Sequence, residues 1–257
     1  MHTVPTIVSE IKQTKPYEGP GASSQGGAPL GKCAVIVAGG TGSRVGSALP
    51  KQFCDLGGRP MLWWTLEAFR REDPAVGIVV AMHPDYIGMW SEMVASWGAD
   101  GCARHVVVPG GATRRESVAR ALEAVPEDCG LIAVHDAARP LVSEGVIARG
   151  WEAAAAAGAA VPVVAVSDSL RHMESGGASR AVARSEYVAV QTPQVFDAGI
   201  LRRAYAGEDS PAYTDDASVV EAAGYPVALF AGEAENFKVT QPHDLILAEL
   251  LLSKRCR

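Results

Sequence analysis

No C-x-x-C pair occurs in the sequence, and its five cysteines (Cys33, Cys54, Cys102, Cys129 and Cys256) are odd in number and scattered. A disulfide framework and a zinc site are therefore not expected, and reduced thiols in a cytoplasmic protein are. There is no basic excess either: 23 Lys and Arg stand against 29 Asp and Glu, a net charge of −6. Nucleic acid is thus not the expected partner, and any anionic ligand must be met by a local cluster of cations. No apolar run is long enough to span a bilayer, because the alanine-rich stretch 153–166 is broken by Gly158 and Pro162. A membrane partner is not expected. Residues 1–30 lack an apolar h-region and contain no arginine, so neither a signal peptide nor a transit peptide is expected there. No repeat at solenoid periods is present.

What is present is enough apolar material for a large core. Hydrophobic residues make up 48% of 257 positions, which suits one large α/β domain. Gly, Pro and Ser crowd residues 17–31, so residues 1–31 read as a flexible tail ahead of a domain over 32–257. From residue 32 short apolar runs at 33–37, 76–81, 105–108, 131–134 and 161–166 alternate with helix-length amphipathic segments near 60–71, 85–97, 114–124 and 143–157. That alternation predicts an α/β, Rossmann-like fold, a mostly parallel sheet covered by helices on both faces. Two further helices are predicted, one capped by oxygen side chains at 214–216 and running to Gly224, the other from 240–242 to about 252. Residues 167–186 break the pattern. They are polar, carry Gly176-Gly177, and read as a projecting β-hairpin arm that cannot bury itself and so packs on another subunit.

The chemistry-bearing motifs begin where the first strand ends, at Ala38-Gly39-Gly40-Thr41-Gly42-Ser43-Arg44-Val45-Gly46. Glycines after a strand let backbone N–H groups approach a phosphate. The spacing is neither a Walker A loop nor G-x-G-x-x-G, and taken alone it serves equally as a tight structural turn. Arg44 within the loop and Lys51 in Pro50-Lys51-Gln52-Phe53 add two cations suited to a polyphosphate.

Together with four later blocks, at 110–118, 134–140, 191–196 and 213–218 followed by 237–240, this pattern resembles the cytidylyltransferases of the sugar-nucleotide pyrophosphorylase superfamily. Within them it is most similar to the 2-C-methyl-D-erythritol 4-phosphate branch. The resemblance spans residues 32–252 and implies transfer of CMP from CTP to a polyol phosphate with release of pyrophosphate. It implies backbone contacts to CTP from Ala38, Gly39, Gly40 and Gly42, and neutralisation of phosphate charge by Arg44 and Lys51. Gly110, Gly111 and Ser117 fall where the family binds cytosine and ribose, with Arg114 supporting them. Asp136, followed by Ala137, holds Mg²⁺ (or another divalent cation), while His135 is expected to be a packed histidine. Arg139 grips the substrate phosphate, and Lys238, expected on a short strand, reaches the reacting phosphates. Glu235 and Asn236 are weaker candidates for the metal shell. Thr192, Thr214 and Ser169 supply hydroxyls to the polyol, and Arg184 crosses a homodimer to the partner's substrate. The phosphate nucleophile is already largely dianionic at neutral pH, so no general base is expected.

One departure stands out. Ala38-Gly39-Gly40 occupies a place where methylerythritol enzymes commonly have Ala-Ala-Gly, and A-G-G is common in ribitol 5-phosphate cytidylyltransferases. The later blocks resemble the methylerythritol branch. Ribitol 5-phosphate is the alternative substrate, and a non-catalytic nucleotide-binding relative is the alternative of another class.

Overall fold

The structure is a computed structural model that describes residues 31–40 and 49–255. The expected tail at residues 1–30, and Gly42 and Arg44 of the glycine loop, lie outside the described residues. β1 (Gly31–Ala38) is followed by the two-residue strands β2 (Asp55–Leu56) and β3 (Arg59–Pro60), then α1 (Met61–Glu72) and β4 (Gly77–Met82). α2 (Ile87–Ser96), β5 (Val106–Pro109), α3 (Arg114–Glu123), β6 (Cys129–Asp136), α4 (Glu144–Ala157) and β7 (Ala159–Ala165) continue the alternation. β8 (Arg171–Met173) and β9 (Ser179–Ala181) form a separate antiparallel hairpin. Then come β10 (Val188–Val190), β11 (Gln194–Asp197), α5 (Ala198–Tyr205), α6 (Asp216–Ala222), β12 (Ala228–Ala231) and α7 (Pro242–Arg255).

Across the main sheet the order is β5, β4, β1, β6, then β11 with β10, then β7, then β12. β10 and β11 both lie against β7, with a register break at residues 191–194 between them. That interrupted strand runs antiparallel to β6 and β7. The remaining pairings, β5–β4, β4–β1, β1–β6 and β7–β12, are parallel. The mostly parallel sheet is as expected from the sequence, and the antiparallel insertion is what the strand pattern did not disclose.

Period-2 alternation sorts the strand side chains into two layers. Ala34, Ile36, Val80 and Ala133 face Leu66 and Phe69 of α1, Trp90 of α2 and Ile147 and Trp151 of α4. Cys33, Val35, Ala81 and Val134 face Val118 of α3, Leu201 of α5 and Val220 of α6. Burial on both faces is why the central strands read as continuous apolar runs. Burial also pushes the thiols of Cys33 and Cys102 up to about 12, so they stay protonated. A smaller cluster of Leu56, Met61, Leu141, Val239 and Leu252 holds α7 against β2 and the start of α1.

Side-chain caps open several helices, among them the one expected at 214–216. Thr113 accepts from Glu116 N at α3 and Ser143 from Val146 N at α4. α6 is capped by Asp215 in a capping box with Ser218. Asp216, grouped with the caps in the sequence reading, instead turns inward and is fully buried. The hairpin predicted within 167–186 is present, with Gly176 and Gly177 at φ +94° and +88° in its turn. Its residues are exposed, Met173 at 66%. Lys238, expected on a strand, lies in a segment outside any strand. Among the described residues no helix is long and apolar enough to cross a membrane.

Candidate active site

The carboxyl ends of β1 and β6 lie side by side, because Val37 pairs with Asp136. Ligands in open α/β sheets bind beyond such strand ends. Here they open into a cleft of about 270 Å³ lined by Ala38, Gly39, Gly40, Lys51, Gln52, Gly111, Ser117, Asp136, Ala137 and Lys238, with Arg114 on its α3 side. Residues from four of the five sequence blocks thus meet in one place.

The glycine loop is held from below. Gln52 is 3% exposed, and its Nε2 donates to the carbonyls of both Ala38 (2.9 Å) and Gly40 (3.0 Å). One side chain thereby fixes the loop's carbonyls on its own side. Next to it, Lys51 Nζ donates to Val239 O at 3.1 Å, tying the lysine to the segment that carries Lys238. On the other wall Ser117 Oγ accepts from Gly111 N (3.0 Å) and donates to Thr113 O (2.9 Å). A Cβ on Gly110 would lie 3.0 Å from Ser117 Oγ, and one on Gly111 only 2.2 Å from Glu116 Cβ. Glycine is therefore required at 111 by space.

Asp136 is the electrostatic centre of the cleft. Lys238 Nζ lies 2.8 Å from Oδ2, Arg114 Nε 3.6 Å from Oδ1, and Arg139 Nε 3.9 Å from Oδ2. Burial opposes its ionisation, but the charges of Arg114, Lys238 and Arg139 outweigh that and hold the carboxyl well below the usual carboxylate range. Its backbone N–H donates to Thr192 Oγ1 at 3.1 Å, and that hydroxyl also meets His135 Nδ1 at 3.1 Å. Burial drives His135 down to about 4, so it is a neutral, packed imidazole edge-on to Phe69, as the sequence led us to expect. Arg139 donates to Asn236 O at 2.8 Å, and Asn236 Nδ2 to Thr192 O at 2.8 Å.

Several expected residues sit elsewhere. Thr192 is 5% exposed and lies beneath Asp136 with its hydroxyl engaged by protein groups. Ser169 and Thr214 are exposed and do not line the cleft. Arg184 lies in a 3-10 turn after the hairpin and donates to Ser167 O. Of the two candidates for a metal shell, Glu235 pairs with Arg255 at 2.6 Å and Asn236 is fully buried. Neither is among the residues lining the cleft. Residues that the sequence reading did not place at the site are Gln52, Asp216 and Tyr205. Gln52 and Asp216 were visible inside their motifs, but nothing local marked them as buried.

The family model for 2-C-methyl-D-erythritol 4-phosphate cytidylyltransferase matches residues 32–254. Over 221 residues the chain is 46% identical to the enzyme of that name from Bacteroides fragilis, covering 86% of this chain and 99% of the relative. Against the enzyme of that name from Thermus thermophilus it is 47% identical over 219 residues, covering 84% and 95%. The crystal structure of a Thermus thermophilus 2-C-methyl-D-erythritol 4-phosphate cytidylyltransferase superposes with a TM-score of 0.69 at 42% identity, covering 86% of this chain and 98% of that one. That of a 4-diphosphocytidyl-2C-methyl-D-erythritol synthase from Anaerococcus prevotii reaches 0.74 at 26% identity, covering 87% and 96%. By sequence and by fold alike, the chain belongs to the 2-C-methyl-D-erythritol 4-phosphate cytidylyltransferase family.

Proposed function

We propose that the chain transfers CMP from CTP to 2-C-methyl-D-erythritol 4-phosphate, giving 4-diphosphocytidyl-2-C-methyl-D-erythritol and pyrophosphate, a step of non-mevalonate isoprenoid precursor synthesis. The observation that carries this beyond family membership is the Asp136–Lys238 pair facing the glycine loop across one cleft. The substrate's phosphate oxygen attacks the α-phosphorus of CTP, and the bond from that phosphorus to the bridging oxygen of the β-phosphate breaks. With a dianionic nucleophile no group need remove a proton, so positioning and charge stabilisation carry the catalysis. Lys51, Lys238 and Arg44 counter the phosphate charge. Backbone groups of Ala38, Gly39, Gly40 and Gly42 receive the nucleotide, and Gly110, Gly111, Ser117 and Ala137 shape its cytidine end. Arg139, Ser169 and Thr214 serve the polyol phosphate from outside the nucleotide cleft, and Thr192 supports Asp136 from below.

The donor set suits Mg²⁺ carried in on the nucleotide. Asp136 is the carboxylate lining the cleft, and no cluster of three or more metal-ligating side chains exists among the described residues. Mg²⁺ typically takes one or two carboxylates and fills its remaining positions with phosphate and water. Asp136 would hold it, and the ion would supply charge neutralisation at the α-phosphate. The protein acts as a homodimer in the cytoplasm, where thiols such as Cys33 and Cys102 stay reduced. The exposed hairpin β8–β9 supports the dimer, and Arg184 beside it acts on the partner's substrate.

The A-G-G loop does not favour ribitol 5-phosphate on steric grounds. A Cβ at Gly39 would meet Ser117 Oγ at 3.3 Å, a contact relieved by a few tenths of an ångström. Pyrophosphate release would be assayed with the four nucleoside triphosphates against both polyol phosphates. CTP with methylerythritol phosphate should give the largest kcat/KM. A larger value for ribitol phosphate would overturn the substrate, and no turnover with any pair would overturn the enzyme.

A further inference from the structure

Arg114 is a wall of the cleft, and Asp216 lies behind it, fully buried at the start of α6. Arg114 Nη1 donates to Asp216 Oδ1 at 2.9 Å and Nη2 to Oδ2 at 2.6 Å. Tyr205, at the end of α5, donates its hydroxyl to Oδ1 at 2.5 Å. The carboxylate thus accepts three hydrogen bonds, and both terminal nitrogens of the guanidinium are committed to it. What remains of the guanidinium is the Nε edge, 3.6 Å from Asp136 Oδ1.

A guanidinium offered two carboxylates normally pairs in parallel, fork to fork, with one of them. Here the fork belongs to Asp216, and Asp136 receives an off-axis contact longer than a hydrogen bond. We propose that Asp216, braced by Tyr205, is a positioning residue for the transfer reaction: it keeps the Arg114 fork from closing on Asp136 and so leaves that carboxylate available in the cleft. Burial makes the arrangement directional. An unpaired guanidinium at this depth is costly, so without Asp216 the fork turns to the nearest remaining carboxylate, Asp136. That would tie up the acid on which the nucleotide's charge depends, with the fold otherwise in place. The inference rests on the proposed nucleotidyl transfer.

The test is Asp216→Asn, with Arg114→Gln and the double variant. The amide keeps the shape of the side chain and loses the charge that claims the fork. We expect kcat for CMP transfer to fall about tenfold or more, the scale of a misplaced charged group. CTP affinity, measured by calorimetry without Mg²⁺ or the second substrate, should stay within about threefold, because Asp136 then has no ion to hold and the rest of the cleft is intact. Because Asp216 acts through Arg114, adding Asp216→Asn to Arg114→Gln should cost little more than Arg114→Gln alone. A folded Asp216→Asn protein with kcat within about twofold of the parent overturns the proposal. So does parallel loss of kcat and CTP affinity, which marks a structural staple. If Asp216→Asn does not fold, Tyr205→Phe decides. It keeps the ring and removes the hydroxyl that braces Asp216, so kcat should fall about threefold or more while CTP still binds, and unchanged kcat overturns the idea. An inactive parent protein would instead overturn the proposed function and leave this inference without its reaction.

Discussion

Lys238 reaches Asp136 at 2.8 Å from a segment with no secondary structure of its own, held in place by Val239 N donating to Ala138 O at 2.8 Å. Its value lies in where its charge is fixed. Replacing it with methionine should preserve the apolar stem and remove the charge proposed to counter the phosphates. On the scale of one preorganised charge stabiliser, about 3 kcal/mol or roughly 10²-fold in kcat should be lost. Steady-state kinetics would show this, with a thermal melt as control, and kcat within a few-fold of the parent would make Lys238 an ordinary surface cation. His135 gives a different prediction, about stability. Its folded value near 4 lies below the ordinary 6.5, so the unfolded chain takes up a proton first as pH falls. The contribution of the neutral imidazole is full above pH 6.5 and is lost as pH drops toward 4, about 3 kcal/mol over that window. Urea unfolding from pH 7.5 to 4.5 should show this slope, and His135→Gln should flatten it. An unchanged slope in the variant would assign the loss to other groups.

Between residues and the whole molecule, the elements do their positioning through their ends. β6 delivers Asp136 and β1 delivers Ala38, because parallel pairing puts their carboxyl ends level. α3 begins at Arg114 because Thr113 caps it, and the same turn supplies Gly111 and Ser117 to the cleft. α6 begins beside the buried Asp216 because Asp215 caps it and Gln194 of β11 donates to Asp215 Oδ2 at 2.7 Å. Asp215→Ala removes the box and one partner of Gln194. It should cost about 1 kcal/mol in denaturant unfolding, the usual value of an N-cap. It should also lower activity, because Asp216 is the next residue. Full activity at reduced stability would separate the cap from the clamp.

At the scale of the whole molecule, the hairpin bears on a second subunit. The hairpin β8–β9 is a two-stranded ribbon with exposed faces, and such ribbons are marginal in isolation. A two-fold partner would cover it and bring Arg184 to a neighbouring site. Subunit mixing tests this reading. Arg184→Ala and Lys51→Ala chains should each be nearly inactive. Mixed in equal amounts, about half the dimers carry one intact site, so roughly a quarter of parental activity should return. Absence of recovery despite confirmed exchange, or a monomer at assay concentration, would rule out a shared site.

Short-range rules explain how much was legible beforehand. The five strands β1, β4, β5, β6 and β7 and the helices α1 to α4 follow from apolar period and caps, which depend on residues a few positions apart. The glycine loop, Lys51, Asp136 and Lys238 stood out as motif residues, and the resemblance ordered them. α5, eight residues long and containing Gly199, was too short to announce itself. The antiparallel place of β11 was hidden because pairing partners are not encoded in a strand's own pattern. Only the folded chain decided that Thr192 lies under Asp136 and that Gln52 carries the glycine loop. It also decided that Asp216 is an internal ligand of Arg114, 102 residues away, and not a cap. Period, propensity and capping act along the chain, whereas the burial of a charge and the choice of its partner are settled by what distant segments bring to the same point.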